Sequence, residues 1–121
     1  DTPATYAALL DFDNFALVSN SPELFLCVDR HTRRVVNRPI KGTRPRRPGM
    51  REALELSDKD RAELAMVVDL QRNDLGRVCE AGSVRVSEPR VIETHPTVYH
   101  GVATIEGSLR RDVDLVRLLA A

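Results

Sequence analysis

The chain has 121 residues, 42% of them apolar and 30% charged, with eighteen basic residues balanced by eighteen acidic ones. That length fits one domain, and balanced charge with plentiful Leu and Val argues against disorder. The longest apolar run, residues 64–68, is far short of the roughly 20 residues a bilayer span needs.

Residues 1–10 lack the basic-then-apolar pattern of a signal peptide. Two cysteines, Cys27 and Cys79, with no C-x-x-C spacing make neither a disulfide framework nor a structural zinc site. A cytoplasmic domain without a membrane partner is expected.

In chain order, residues 5–10 read as a short helix and 15–19 as a strand, after which Asn20-Ser21-Pro22 turns the chain. Residues 23–29 alternate, with Leu24, Leu26 and Val28 on one face. Residues 30–33 read as a hairpin connection to a strand over 34–40, where Pro39 removes a ladder donor near the end. Residues 42–49 read as a loop by composition. Ser57 reads as a helix N-cap, with Asp58 and Asp60 in the first turn where the helix dipole favours acids. That helix is expected to run to about Leu75 and stop at Gly76. Residues 64–70, apolar on nearly every side, predict that its middle is buried. Strands over 84–86, 91–94 and 98–105 and a helix from 112 onward complete the reading. Helices packed on antiparallel strands make the fold class α+β.

The zero net charge conceals an asymmetry. Nine of the eighteen basic residues lie in residues 30–51, which contain no Asp or Glu. Such a stretch attracts anions at short range. Nucleic acid is a poor fit, because Trp is absent and 4% aromatics leave little stacking surface. A module binding phosphates through this segment is the alternative, and its affinity would fall steeply with salt.

Four residues could carry chemistry. Lys41 is one of only two lysines against sixteen arginines, and it sits inside the arginine-rich segment. An amine can lose its proton and act as a nucleophile, which a guanidinium cannot. Arg38 and Arg44 would favour the neutral amine by like-charge repulsion. Lys41 is thus either a nucleophile or a solvated surface lysine. Glu63 lies where the polar first turn of the long helix meets its apolar middle. It pairs there with Lys59, Arg61 or Arg72, or else serves as a metal carboxylate. His100 shares a strand face with Val98, Val102 and Thr104, and is either a satisfied half-buried histidine or a site residue. Glu23 opens a strand, as a general acid or an ordinary strand-end carboxylate. Asp69 and Asp74 read as structural and the two cysteines as core-filling thiols.

Four segments taken together resemble the chorismate-utilising enzymes. They are Ser21-Pro22-Glu23-Leu24-Phe25, Arg38-Pro39-Ile40-Lys41-Gly42-Thr43-Arg44-Pro45-Arg46, Lys59-Asp60-Arg61-Ala62-Glu63 and Val68-Asp69-Leu70-Gln71-Arg72-Asn73-Asp74-Leu75-Gly76-Arg77-Val78. They occur in the family's order, with Ala81-Gly82-Ser83-Val84 and the His100 strand following. Within the family, Pro39-Ile40-Lys41-Gly42-Thr43 resembles the aminodeoxychorismate synthase branch, whereas anthranilate and isochorismate synthases usually carry alanine in place of Lys41.

The resemblance implies an enzyme that replaces the 4-hydroxyl of chorismate with an amino group for p-aminobenzoate and folate biosynthesis. It implies that Lys41 adds to the ring and is displaced by ammonia, and that Glu23 assists loss of the hydroxyl. It places His100 beside the leaving group, Thr43 and Gly42 along the substrate site, and Glu63 as one ligand of a magnesium ion, Mg2+. The ammonia would come from a glutamine amidotransferase subunit or domain. Anthranilate formation is the alternative.

Leu24 stands where the family commonly has arginine, and His100-Gly101-Val102-Ala103 stands where it has His-Leu-Val-Ser. The family's catalytic domains are longer, four-layer α/β/β/α sandwiches. Residues 1–121 are therefore expected to form part of one, lacking N- and C-terminal portions, inactive alone and exposing an apolar sheet face through which it self-associates or meets its missing half.

Overall fold

The computed structural model describes residues 4–121. In chain order it contains β1 (Tyr6–Phe12), β2 (Phe15–Ser21), β3 (Leu24–Val28), β4 (Arg34–Arg38), β5 (Ile40–Pro45), α1 (Met50–Glu55), α2 (Asp58–Val78), β6 (Arg85–Thr94), β7 (Val98–Ser108) and α3 (Leu115–Leu119). The class is α+β, as the sequence predicts: helices packed on an antiparallel sheet. No helix among the described residues is long and apolar enough to cross a membrane.

β7 is the spine of the five-stranded sheet. β6 pairs along one edge of it, from Arg85↔Glu106 to Thr94↔Tyr99. The other edge is shared by two strands in succession. β4 takes the C-terminal half, Arg34↔Ser108 to Asn37↔Ile105, and β5 takes the N-terminal half, Ile40↔Val102 to Pro45↔Val98. Pro39 separates them, at a point where its missing N–H leaves no ladder donor to satisfy. β3 adds outside β4.

Side chains of β7 alternate between the two sheet faces. The face of Ile105 carries the core, where Val35, Leu75, Val78, Cys79, Leu109, Val113 and Leu118 cluster beneath α2 and α3. Gly107 belongs to this face, and a Cβ there would come within 2.8 Å of Cys79 Sγ. The opposite face carries His100, Val102, Thr104 and Glu106. It is held by charge as well as by apolar contact. Glu106 accepts from Arg34 on β4 and, at 2.7 Å, from Arg85 on β6, spanning three strands.

The structure departs from the sequence reading in several places. The strand expected over 34–40 breaks at Pro39 into β4 and β5, and the strands expected over 84–86 and 91–94 are one strand, β6. Residues 5–10 form a strand, not a helix: β1 pairs with β2 from Tyr6↔Ser21 to Phe12↔Phe15 across the two-residue turn Asp13-Asn14. β5 runs on through Pro45, where a loop was expected, because a bulge absorbs Gly42. α1 has no counterpart in the reading. α2 passes through Gly76 and stops at Cys79, whose N–H bonds to the Leu75 carbonyl. Its middle is half exposed, with Met66 68% and Leu70 60% accessible and only Leu64 of that stretch fully buried. Ser57 does cap it, accepting from the Asp60 N–H.

Candidate functional site

The site grows from the bulge between β5 and β7. Ile40 pairs with Val102 and Thr43 with His100, so Lys41 and Gly42 together face the single residue Gly101. A bulge of this kind needs one residue in an unusual conformation, and Gly42 supplies it with φ of 82°. Gly101 permits the close approach on the other strand, since a Cβ there would lie 2.6 Å from the Lys41 carbonyl oxygen. Outside the bulge, Asp60 and Leu54 press against Gly42. Asp60 Oδ2 accepts from Arg44 Nη2 at 2.7 Å. The Ser57 hydroxyl, followed by Arg44, holds the Asp60 carboxyl below its ordinary pKa.

Glu23 and Lys41 meet at one backbone residue. Glu23 Oε1 accepts from the Ile40 N–H at 2.7 Å, and Lys41 Nζ donates to the Ile40 carbonyl at 2.8 Å. Backbone dimensions therefore keep the carboxylate oxygen and the ammonium nitrogen no more than about 10 Å apart. The Ile40 amide lies at the point where Pro39 has interrupted pairing, so a side chain takes the place of a strand. Ser21, which exchanges hydrogen bonds with Glu23, shapes the entry into β3.

His100 sits in a row across three strands. Thr43 on β5 and Glu93 on β6 are its direct neighbours. Thr43 Oγ1 and His100 Nδ1 share a hydrogen bond of 2.8 Å. Burial first, then the nearby His95, pushes the His100 pKa below the ordinary imidazole value, against the opposing influence of Glu93 and Glu23. Four residues along β7, beyond the row of Ile40, Val102 and Val91, another row carries Arg38, Thr104 and Glu88. Arg38 Nε donates to Thr104 Oγ1 at 3.1 Å, and Thr104 in turn donates to Glu88 Oε2 at 2.6 Å.

Glu23, Lys41, Gly42, Thr43 and His100 thus gather around one bulge and the strand opposite it. Glu63 is placed differently. It lies on α2 with Lys59 as its ion partner at 3.6 Å, three residues beyond the Asp60 that packs on Gly42. The positive field expected over Lys41 is also largely answered, because Arg38 pairs with Glu93 at 2.5 Å and Arg44 with Asp60. Sequence reasoning missed Glu93 and His95 as neighbours of His100. The signal was the spacing of Glu93 and His100 about a tight strand connection, which sets them opposite each other.

A family model described as "chorismate binding enzyme" matches residues 1–121. The chain belongs to the chorismate-binding enzymes. It is 46% identical over 126 aligned residues to an aminodeoxychorismate synthase of Streptomyces griseus, covering 99% of this chain and 17% of that protein. It is 49% identical over 125 residues to an anthranilate synthase component 1 of Haloarcula marismortui, covering 98% of this chain and 24% of that protein. The crystal structure of anthranilate synthase component I from Streptococcus pneumoniae superposes with a TM-score of 0.81 at 29% identity, over 97% of this chain and 26% of the other. The chain spans about a quarter or less of the length of those relatives.

The family resemblance implies a magnesium ion, and the residues present meet it in part. The Glu63 side chain is 44% exposed and its contact with Lys59 is loose, so its carboxylate is open to a cation. Among the described residues no group of three or more His, Cys, Asp and Glu side chains could hold a metal. This donor set fits one carboxylate contact to an ion that takes its other ligands from water and substrate oxygens, not a closed protein site.

Proposed function

We propose that the chain is part of the catalytic domain of an aminodeoxychorismate synthase, with Lys41, Glu23 and His100 performing the amination. The observation that supports this most is the Ile40 backbone, which holds the Glu23 carboxylate at its N–H and the Lys41 amine at its carbonyl. An acid and an amine held that close can act on one small ring. Lys41, as the neutral amine, forms a C–N bond to the chorismate ring while Glu23 gives its proton to the 4-hydroxyl, which leaves as water. Ammonia then forms its own bond at the ring, the bond to Lys41 breaks, and the amine returns. Thr43 and Gly42 line the substrate, and His100 stands beside the departing hydroxyl. Magnesium on Glu63 would neutralise a substrate carboxylate when bound.

A glutamine amidotransferase subunit or domain is the source of ammonia. The remaining layers of a four-layer α/β/β/α sandwich, from sequence beyond residues 1–121, cover the face that carries His100. The enzyme acts in the cytoplasm. The 49% identity to an anthranilate synthase favours a second reading, in which ammonia attacks chorismate directly.

The Lys41→Ala variant of the full-length gene product, supplied with chorismate and ammonium salt and followed by chromatography of products, separates the two readings. Loss of 4-amino-4-deoxychorismate is expected, and Glu23→Gln should slow its formation by about 100-fold or more. Anthranilate formed at an undiminished rate by Lys41→Ala would overturn the first reading in favour of the second.

A further inference from the structure

The sheet surrounds His100 with ionisable groups that this reaction does not use. Glu93 is its cross-strand neighbour on β6. His95 lies just beyond β6, where its N–H donates to the Val98 carbonyl at 2.9 Å and closes the turn. The two imidazoles meet edge to face, with centroids 5.0 Å apart and planes inclined at 64°. His95 Nε2 is buried without a hydrogen-bond partner among the described residues, yet stands 3.4 Å from Glu93 Oε2. The other oxygen of Glu93 is anchored by Arg38 Nη2 at 2.5 Å.

A buried nitrogen beside an anchored carboxylate gains a charge-assisted contact when it takes up a proton. Two imidazoles in contact resist being charged together.

We propose that His95 is a positioning residue for His100: held edge to face against it and beside Glu93, it keeps the His100 imidazole neutral and seated on Thr43, ready to act at the substrate. The functional part of this rests on the reading of His100 as a site residue. It divides the labour between the two groups that flank the bulge, with Glu23 as the proton donor and His100 as an uncharged partner. The titratable groups acting on His100 are His95 and Glu93, from the β6 side, and Glu23, from the entry to β3.

The test is an NMR titration of the histidine ring nitrogens in this chain, with the exposed His31 as internal reference. His95→Phe keeps an aromatic edge against His100 but removes the charge, and is expected to raise the pH at which His100 titrates. Glu93→Gln is expected to lower it. Opposite displacements, with His31 unmoved, support the pair. No displacement in either variant, or the same direction in both, overturns it. Where His95→Phe disturbs the amide spectrum, His95→Gln carries the same expectation. Chorismate binding by the same proteins is measured separately. Absent binding with the opposite displacements intact counts against the functional reading alone.

Discussion

Replacing Gly42 by alanine tests the bulge that sets Lys41 against Gly101. Gly42 has φ of 82°, and a left-handed conformation costs a residue with a Cβ roughly 1–2 kcal/mol. The new methyl would lie 2.7 Å from Leu54 Cδ1, 2.8 Å from Asp60 Cβ and 2.9 Å from Asp60 Cγ. The Leu54 methyl can swing aside, but Asp60 is tied to Arg44 and to the capped start of α2. Overpacking of this kind adds about 1–3 kcal/mol, so the whole cost is about 2–5 kcal/mol. That is a large share of the about 5–15 kcal/mol that holds a typical domain together. Gly49→Ala is the control: its φ is 79°, and a Cβ there meets nothing within 4 Å, so it carries the conformational cost alone. Urea unfolding of both variants, followed by circular dichroism, gives the two costs from midpoint and slope. If Gly42→Ala proved no more destabilising than Gly49→Ala, the close packing of α1 and α2 on the bulge would be refuted, and with it the account of how Lys41 is held.

Glu106 is 4% exposed and accepts from both Arg34 and Arg85. The Arg34 hydrogen bond, then that of Arg85, outweighs burial and holds its carboxyl below the ordinary value of 4.5. A depressed folded-state value means that the contribution is full above 4.5 and is lost as pH falls through the folded value. Glu106→Gln should cost about 1–2 kcal/mol at pH 7, because both guanidiniums are largely exposed, and should flatten the acid limb of stability measured against pH. An acid limb unchanged by the substitution would contradict this. In the β1–β2 hairpin, Leu10, Phe12, Phe15 and Leu17 share one exposed face, with the two phenyl rings 4.6 Å apart. Concentration-dependent association through this face is the expected outcome in sedimentation velocity, and Leu10→Lys with Leu17→Lys should remove it; association that persists in the double variant would place the contact elsewhere.

Glu23 and Lys41 stood out only through the ordered resemblance of four segments to a family, since each alone reads equally as a strand-end carboxylate or a surface lysine. What could not be read was which strands stand side by side. Glu93 and His100 face each other only because β6 folds back on β7, and Thr43 joins them because the bulge restores pairing past Gly42. The failure over residues 5–10 has a plain cause. Ala and Leu favour helix in isolation, but the register with β2 prevails. The Asp13-Asn14 pair between Phe12 and Phe15 was the available sign of a hairpin. The exposed middle of α2 shows the limit of composition: Met66 and Leu70 are as apolar as Leu64, yet face away from the sheet.

Since β7 comes last of the strands, the sheet has no centre until nearly all the described residues have been synthesised. β4 waits for a partner some 70 positions downstream, and β5 for one almost as far. At translation speeds of about 5–20 residues per second, that leaves both with an open edge on the ribosome for several seconds. Arg34, Arg38 and Arg44 lie along these waiting strands, and charged side chains on an open edge disfavour pairing with another chain.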